Sequence, residues 1–581
     1  MSRFYLPPAL LFAGSLGLAL AQEKPLLLVR VGVQPAPPPT AALTDEEALK
    51  QGKLDPTDGG QLVGYLKQRT LSDADHGKIQ SIIKQFAADD FDTRLKAGDE
   101  IAAFGPAAIG PLKTAERDSN AEVAYRAALA LKKVSAVNHS AVAAAAARGV
   151  VKLKPPGAAG ALLGFLPLAD SEAVADDIRA ALVALAVANG KAEPALVAAL
   201  ADPSPVRRTA AYIALVEGGP PAERVRIKDA FPLVRDGVRK EADLSAKFAG
   251  LWSLLVTTRE KEFVPDLIGL MAQMPRGRVW QIEDYLLQVS GAFPPGTPLG
   301  KTPESVAKAQ AAWAAWWAAK GGAVDLAKLE FKPRVKGLVE LVEADMGGLG
   351  RGHVSLLGPD LKEKWRLTGT NFTPTDARVL SNDRVLVVES LYNRVSERET
   401  GGKTNFQRIM AQPLVAEPLP DDRFIVVGRA VVSEYDKNGG VSWNFTRNNG
   451  DILSGRVMPN GDVLFVTMAV GVNVFRIDKA GKDTGKTYTV GRVQMPHSMD
   501  VIDDDRVLIC EIAQVAEYDL KTQKILWKHP TPNALGAQRL PNGNTLITTN
   551  TNRAVEVTPD GTEVWEYSAK DNLRVSRVYR R

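Results

Sequence analysis

Two short stretches decide the fold of the second half of this chain: MPNGDVL at residues 458–464 and LPNGNTL at residues 540–546. Each places apolar residues on both sides of a Pro-Asn-Gly turn, and Asn-Gly tolerates the positive φ that a tight β-hairpin demands at both turn positions. Three acidic or amide pairs occupy the same place elsewhere: Asn382-Asp383, Asp421-Asp422 and Asp504-Asp505. The spacing predicts related hairpins about 40 residues apart.

A second phrase recurs between these hairpins and combines an apolar strand, a turn with Asp or Lys, often Gly, and a short strand that usually has an aromatic residue. Its copies are LGPDLKEKW (357–365), SERETGG (396–402), SEYDKNGGVSW (433–443), FRIDKAG (475–481), EYDLKTQKILW (517–527) and EVTPDGTEVW (556–565). Two hairpins per repeat make a four-stranded blade, and about six blades close a ring. The pattern predicts a β-propeller over residues 336–581. The segment 573–581 either closes the ring or, because it carries four arginines, stays solvated.

The first half has helical periodicity instead. Between residues 61 and 330 the apolar residues recur at helical spacing, and the segment 118–123 is loosely repeated at 202–207, each followed by an alanine-rich run. Small alanines let neighbouring helices approach closely, and each repeat of a solenoid buries its apolar stripe only against the next. The predicted fold class is therefore α + β multidomain, an α-solenoid followed by an approximately six-bladed β-propeller.

Both halves resemble known families. The solenoid, residues 61 to about 327, is similar to HEAT-repeat and armadillo-like proteins, and its best segment is 92–134. The propeller resembles quinoprotein-like and arylsulfotransferase-like propellers, whose PQQ-like repeats carry this Pro-Asn-Gly hairpin and terminal Trp. The resemblance implies an architecture more than an activity, because folds of this kind host many functions.

The N-terminal residues predict export. Residues 1–21 read as a signal peptide, with Arg3 before an apolar stretch and the small-x-small sequence Ala19-Leu20-Ala21 at its end. The alternative is an uncleaved anchor. Residues 22–60 contain PAPPP at 35–39 and predict a Pro-rich extended spacer. No later apolar run reaches the ~18 residues of a spanning helix, so we expect a periplasmic or extracellular protein without a membrane span after cleavage.

Composition excludes several function classes. The 72 basic and 67 acidic residues leave a net charge of only +5, and no run concentrates Lys and Arg, so no nucleic-acid partner is expected. Cys510, the single cysteine, excludes an intramolecular disulfide, a CxxCH haem site and a cysteine-based zinc site, and its apolar context predicts a buried strand residue. HExxH, GxSxG and Walker motifs are missing, and the aspartates 503–505 lack the spacing of a calcium loop. We therefore expect no cofactor and no metal.

Three residues are candidates for a site. Alignment of the blades places His497 where the other four clear blades have Leu535, Leu453, Leu414 and Thr375. An imidazole there could contact a ligand or act as a general base, or it could satisfy a backbone group. Arg456, near the start of another innermost strand, could bind an anion at the mouth or form a hairpin-flanking salt bridge. His353 lies in the poorly matched first blade and is a weaker binding candidate.

The sequence favours an exported, non-catalytic binding or scaffold protein that holds protein or envelope-polymer partners. The alternative is a propeller enzyme, an arylsulfotransferase-like transferase or hydrolase with its site around His497. Arylsulfotransferase-like enzymes use a histidine nucleophile among other basic residues, and only the general position of His497 matches. A third possibility is carbohydrate binding by Trp313, Trp316 and Trp317, which share one helical face, although such a face more often packs as a capping helix.

Overall fold

The computed structural model describes residues 44–581 except 71–72, 135–138, 170, 189, 219–229, 346–349, 381–383, 470, 491–496 and 571–572. The predicted signal peptide and most of the predicted spacer therefore lie outside the described residues. Within them, sixteen α-helices precede a propeller, as the predicted fold class requires. None of these helices is both long and apolar enough to cross a membrane.

The helices in the described part are α1 (Asp45–Gln51), α2 (Gly59–Gln68), α3 (Asp73–Gln85), α4 (Phe91–Ala103), α5 (Ile109–Ala115), α6 (Ala121–Val134), α7 (His139–Leu153), α8 (Ala158–Phe165), α9 (Glu172–Leu185), α10 (Pro194–Ala199), α11 (Pro205–Glu217), α12 (Phe231–Lys240), α13 (Leu244–Thr258), α14 (Phe263–Leu270), α15 (Arg276–Ser290) and α16 (Pro303–Lys320). A two-stranded hairpin of β1 (Val187–Ala188) and β2 (Lys191–Ala192) lies among them.

Alternate helices stack in the middle of this region. Helices α7, α9, α11 and α13 contact one another in succession, while α8, α10 and α12 each pack against the helix that follows. The five alanines 143–147 of α7 are all buried, so the alanine-rich sequence gives the close approach that it predicts. This is the packing of stacked helix pairs. The finer HEAT assignment stays a prediction.

The stacking order departs from the sequence expectation at its beginning. Helices α3–α6 form a hydrophobic cluster of their own, and α7 packs directly against α1 and α2. Repeats therefore do not contact only their neighbours in the chain. Helix α1 also falls inside the predicted extended spacer: Thr44 and Glu47 form a capping box, and Ala48 and Leu49 are buried in the main core.

The three tryptophans of α16 are packed. Trp313 is 2% exposed, and the Nε1–H of Trp316 donates to the backbone oxygen of Phe293 at 2.7 Å. Trp317 packs against the same core. This arrangement is that of a packed capping helix with Trp316 and Trp317 half-buried, and carbohydrate binding by this face stays a prediction.

Six four-stranded antiparallel sheets follow. Blade 1 consists of β26 (Arg574–Arg580), β3 (Val339–Ala344), β4 (His353–Leu357) and β5 (Glu363–Leu367), and blade 2 of β6 (Asp376–Val379), β7 (Arg384–Glu389), β8 (Arg394–Glu399) and β9 (Thr404–Ile409). Blade 3 has β10 (Pro413–Pro418), β11 (Phe424–Gly428), β12 (Val431–Tyr435) and β13 (Val441–Thr446), and blade 4 has β14 (Ile452–Val457), β15 (Val463–Ala469), β16 (Gly471–Ile477) and β17 (Asp483–Thr489). Blade 5 has β18 (Ser498–Val501), β19 (Arg506–Cys510), β20 (Gln514–Asp519) and β21 (Ile525–Pro530), and blade 6 has β22 (Ala534–Arg539), β23 (Thr545–Thr549), β24 (Arg553–Val557) and β25 (Glu563–Ser568).

The segment 574–580 closes the ring. It forms β26, which pairs antiparallel with β3 and so joins the two ends of the propeller sequence in blade 1. The first strands of successive blades contact one another all the way round, from β6 through β22 to β26 and back to β6. The open choice between a closing strand and a solvated tail is therefore decided in favour of the strand.

The Pro-Asn-Gly hairpins use a different turn from the one expected. Only the glycine of each pair has positive φ, +90° at Gly461 and +84° at Gly543, so the expectation for both positions is wrong there. In the first hairpin the Asn460 side chain instead accepts the N–H of Asp462 at 3.1 Å. Positive φ at both positions occurs at Asp421 and Asp422. Asn382-Asp383 lies outside the described residues.

The helical region joins the propeller where the ring is closed. Helix α15 packs on blades 1 and 6. The N–H of Gly277 donates to the backbone oxygen of Pro359 of blade 1 at 3.1 Å. The rings of Trp280 and of Trp565 in blade 6 pack edge to face with their centroids 6.1 Å apart. Arg580, from β26, stacks over the Trp280 ring at 3.7 Å. One hydrophobic cluster runs from the helices into these two blades.

Candidate functional site at the propeller axis

A ring of polar side chains crosses the centre of the propeller. The strand registers make six positions equivalent, one on each innermost strand: Arg378, Glu417, Arg456, Asp500, Gln538 and Tyr579. We call this set the axial ring. Because side chains alternate along a strand, the residues two positions earlier face the axis as well. That second set, the mouth ring, consists of Asp376, Val415, Ser454, Ser498, Gly536 and Arg577.

The charged members of the axial ring are paired with one another. Glu417 Oε1 lies 2.7 Å from Arg378 Nη2 and 2.7 Å from Arg456 Nη1. Arg456 also approaches Asp500 Oδ1 with its Nε at 3.6 Å. Two cations and two anions from blades 2 to 5 therefore form a neutral chain of ion pairs across the axis.

Tyr579 of blade 1 completes the network. Its hydroxyl accepts from Arg456 Nη2 at 3.1 Å and donates to Asp376 Oδ1 at 2.6 Å, which links the axial ring to the mouth ring. The guanidinium of Arg378 stacks on the Tyr579 ring. The closing strand thus supplies the aromatic centre around which the other blades' charges are arranged.

Burial and charge act against each other in this network. Burial favours the neutral form of Glu417, but Arg378 and Arg456 outweigh it and hold the pKa of that carboxyl below its usual range. Burial raises the pKa of Asp500, and its more distant Arg456 partner offsets this only in part. Burial would lower the pKa of Arg456, yet Tyr579 and Glu417 raise it. The arginines of the axial ring stay charged, and the carboxylates of the same ring compensate their charge.

The mouth ring is less completely paired. Asp376 Oδ2 accepts the N–H of Ala416 at 3.2 Å in addition to the Tyr579 hydroxyl. Arg577 Nη1 donates to the backbone oxygens of Leu535 at 2.7 Å and Ser576 at 2.8 Å. The buried Oγ of Ser454 has no hydrogen-bond partner among the described residues.

His497 lies just above the mouth ring, where its blade begins. Its backbone N–H donates to Cys510 at 2.8 Å, as the N–H of Thr375 does to Val388 at 2.8 Å in blade 2. The residues aligned with it in blades 3, 4 and 6 occupy β-bulges, so the alignment made from the sequence is the structural one. The half-buried ring has an Nδ1 without a partner in the described part of the chain, and no hydrogen bond joins it to Arg456 there. Its functional role stays a prediction.

Of the other two predicted site residues, Arg456 lies elsewhere than expected, whereas His353 lies in the first blade, as expected. Arg456 is near the end of β14, not its start, and it pairs across the axis, so it is neither a free anion site at the mouth nor a hairpin-flanking salt bridge. His353 lies in β4, away from the axis, where its Nε2 is 2.7 Å from Glu343 Oε2. Both are buried.

Cys510 is the buried strand residue that the sequence predicts, and burial raises the pKa of its thiol to about 11. No group of three metal-ligating side chains is assembled within the described ranges.

Sequence reasoning missed most of both rings. The signal was present, because the axial ring consists of the residues three positions after His497 and its counterparts in the other blades. These residues are Arg, Glu, Arg, Asp, Gln and Tyr, so every one of them is polar. Blade 1 was absent from the alignment, and with it Arg577 and Tyr579. Only knowledge of the closing strand adds these two residues.

Comparison with known proteins supports the propeller. Residues 350–571 match the family model of a PQQ-like repeat described as "Outer membrane protein assembly factor BamB". No protein with curated annotation matches the chain. The structure of a protein of unknown function from Bacteroides caccae is 14% identical with a TM-score of 0.34, and the match covers 41% of this chain and 97% of that one.

Two lyase structures are similarly distant. A streptogramin B lyase is 14% identical with a TM-score of 0.28, covering 34% of this chain and 69% of that one. A virginiamycin B lyase from Staphylococcus aureus is 16% identical with a TM-score of 0.28, covering 34% of this chain and 70% of that one. Likenesses this distant say nothing of activity. Residues 350–571 of the propeller are thus similar to the BamB-type, PQQ-like repeat family, and the helical region lies outside that match.

Proposed function

We propose that this chain is an exported, non-catalytic binding or scaffold protein that holds protein or polymer partners in the cell envelope. The observation that carries the proposal is the axial ring. General acid–base and nucleophilic catalysis need a titratable group free to reach the substrate. At this axis Arg456 is instead buried, Glu417, Asp500 and Arg378 are half-buried, and all four are engaged with one another.

An exposed apolar stripe on the helical region supports a protein partner. Phe91 and Leu95 lie one turn apart on α4, and Tyr125 and Leu129 lie one turn apart on the contacting helix α6. Their exposed fractions are 58%, 49%, 60% and 44%. Large apolar side chains grouped on a surface mark interaction sites more often than single ones do. The BamB family description, which names an outer-membrane protein assembly factor, is in accord with an envelope location and a protein partner.

The experiment is photo-crosslinking in the cell envelope. A photoreactive amino acid replaces Tyr125 in one strain and Lys437, an exposed residue of a propeller hairpin, in a control strain. We expect a protein adduct at position 125 that is missing at position 437. The identified protein, once purified, should bind the Tyr125→Ala, Leu129→Ala double variant at least about tenfold more weakly than the wild type. Equal adducts at both positions, or binding that the double variant leaves unchanged, would contradict the proposal.

The alternative proposal is a propeller enzyme with its site at His497. One observation favours it: the buried Nδ1 of His497 has no partner among the described residues, at the mouth where a ligand could approach. In that case His497→Ala should abolish the cellular phenotype of the chain while leaving partner binding and the unfolding midpoint unchanged. Under the scaffold proposal, the Tyr125 and Leu129 changes abolish the phenotype and His497→Ala does not.

A further inference from the structure

The mouth ring contains an arginine whose charge is not neutralised. Within the described part of the chain, Arg577 forms no ion pair; its Nη1 bonds only to two backbone oxygens, and its Nε has no partner. Both axial-ring arginines, by contrast, are paired with carboxylates. A buried or half-buried cation that lacks a counter-charge is costly, and such groups are normally paired.

The fold makes room for this side chain to reach the axis. Arg577 starts from β26 in blade 1 and extends across Gly536 of blade 6, where a Cβ atom would lie 3.1 Å from its Cδ and 3.3 Å from its Nη1. Its hydrogen bond to Leu535 holds it over blade 6, and its charge acts on the thiol of Cys510 in blade 5. The side chain therefore extends from blade 1 over blade 6, above the axial ring.

Further unpartnered groups surround the same place. Arg574, three residues earlier on β26, also has an unpartnered Nε, and burial and the nearby positive charge of Arg577 lower its pKa. The Oγ of Ser454, a residue only 1% exposed, faces the axis from the opposite side of the ring and has no partner among the described residues. The one carboxylate of the mouth ring, Asp376, already accepts two hydrogen bonds.

We propose that the mouth of the propeller binds a single oxyanion, the carboxylate or phosphate group of a ligand, with Arg577 as its main contact and Arg574 and Ser454 as further donors. Guanidinium groups bind such planar or tetrahedral oxyanions through parallel hydrogen bonds, which are about twice as strong as neutral ones. The axial ring forms the floor, since its charges are paired. This site is a further one, independent of the helical stripe to which the proposed function assigns the protein partner.

The test is calorimetric titration and thermal unfolding of the purified chain with three probes at constant ionic strength. The probes are inorganic phosphate, N-acetyl-Ala-Ala with a free carboxylate, and the same peptide amidated. We expect saturable binding of phosphate, of the free-carboxylate peptide or of both, and none of the amidated peptide. Phosphate alone would assign a phosphorylated ligand, and the free peptide alone would assign a carboxylate.

Matched variants locate the site. Arg577→Gln should weaken binding at least about tenfold, because a charge-assisted contact is lost. Ser454→Ala should weaken it by a smaller factor without affecting folding, since that hydroxyl makes no hydrogen bond in the described part. Lys437→Gln, which removes an exposed charge on a distant hairpin, should bind like the wild type.

Gly536→Ala provides a second variant should Arg577→Gln fail to fold. The added methyl group would displace the Arg577 side chain while keeping its charge, and it should weaken binding. Binding that is equal in Lys437→Gln, Ser454→Ala and either Arg577→Gln or Gly536→Ala would overturn the proposal, as would the lack of saturable binding of any probe by the wild type. Neither result would affect crosslinking at position 125, so the two proposals fail separately.

Discussion

Substitution of Gly277 tests how the helical region is held on the propeller. Gly277 is the second residue of α15, and its backbone lies against the backbone of blade 1. A Cβ atom at this position would lie 2.3 Å from the oxygen of Gly337, 2.6 Å from Cα of Pro359 and 2.8 Å from the oxygen of Pro359. These are backbone atoms, so no side-chain rotation can relieve the clash. Gly277→Ala must therefore push the beginning of α15 away from the propeller.

The magnitude follows from two contributions. A retreat of about 1 Å restores normal contact distances, and overpacking of this kind costs about 1–3 kcal/mol. The same movement breaks the 3.1 Å hydrogen bond from Gly277 to Pro359, whose loss costs about 1 kcal/mol more. The free energy of unfolding should therefore fall by about 2–4 kcal/mol. The better helix propensity of alanine offsets at most about 1 kcal/mol of this.

Urea denaturation, followed by far-ultraviolet circular dichroism and by tryptophan fluorescence, measures the effect. The matched control is Gly269→Ala in α14, where a Cβ atom would have no neighbour within 4 Å. That variant should be unchanged or up to about 1 kcal/mol more stable. If Gly277→Ala unfolds at the same urea concentration as Gly269→Ala, the glycine contact does not hold the two regions together, and the packing argument is refuted.

Three further predictions concern the propeller. Arg456→Met should lower the free energy of unfolding by about 3–5 kcal/mol because it removes the ion-pair partner of Asp500 and one of the two partners of Glu417. Adding Glu417→Gln should recover part of the loss in a double-mutant cycle; full additivity would show that the two side chains are not coupled. Burial raises the pKa of Glu340 to about 7. Above about pH 4.5 the unfolded state has therefore lost a proton that the folded state still holds. The free energy of unfolding is then highest below about pH 4.5 and falls as the pH rises through about 7, by about 3 kcal/mol in all. Glu340→Gln should flatten this dependence in urea midpoints between about pH 5 and about pH 8, and an unaltered slope would assign it to other groups. Deletion of residues 574–581 should expose the edge of β3 and give aggregates in gel filtration, whereas a soluble monomer with the wild-type midpoint would show that β26 does not close the ring.

The blades were predictable because their turns are local. In the third copy of the repeated phrase, Asp436 accepts the N–H groups of Asn438 and Gly440 at 2.8 Å each, and in the fourth, Asp478 accepts those of Ala480 and Lys482 at 2.9 Å each. Each turn is thus fixed by residues within four positions of one another. A single sequence contains all the chemistry that such a turn needs.

The closing strand was left open for an equally local reason. Its ladder has a bulge between Val575 and Arg577, so the alternation of apolar and polar residues shifts by one inside a seven-residue strand. Because Arg574, Arg577 and Arg580 lie in the same segment, the strand's alternation of apolar and polar residues is lost, and the sequence pattern is also that of a charged, solvated tail.

The candidate site depends on contacts that no local pattern encodes. Arg456 was identified from the sequence, but its partners Glu417, Asp500 and Tyr579 come from three other blades, up to 123 positions away in the chain. Likewise, the periodicity of α3–α6 is the same as that of the helices around them. It shows that each helix has an apolar face, but it does not show that α7 packs on α2.

The position of α15 has a consequence for how the chain folds. Blades 2 to 6 each pair strands that are consecutive in sequence, whereas blade 1 waits for β26, which follows its partner β3 by more than two hundred residues. Pairing over such a separation forms late, and until then the strands on both sides of the gap present open edges to other chains. Helix α15 precedes every propeller strand and rests on the two blades that flank this gap. It can therefore hold blades 1 and 6 close together before β26 pairs with β3, and it covers the junction between these two blades afterwards.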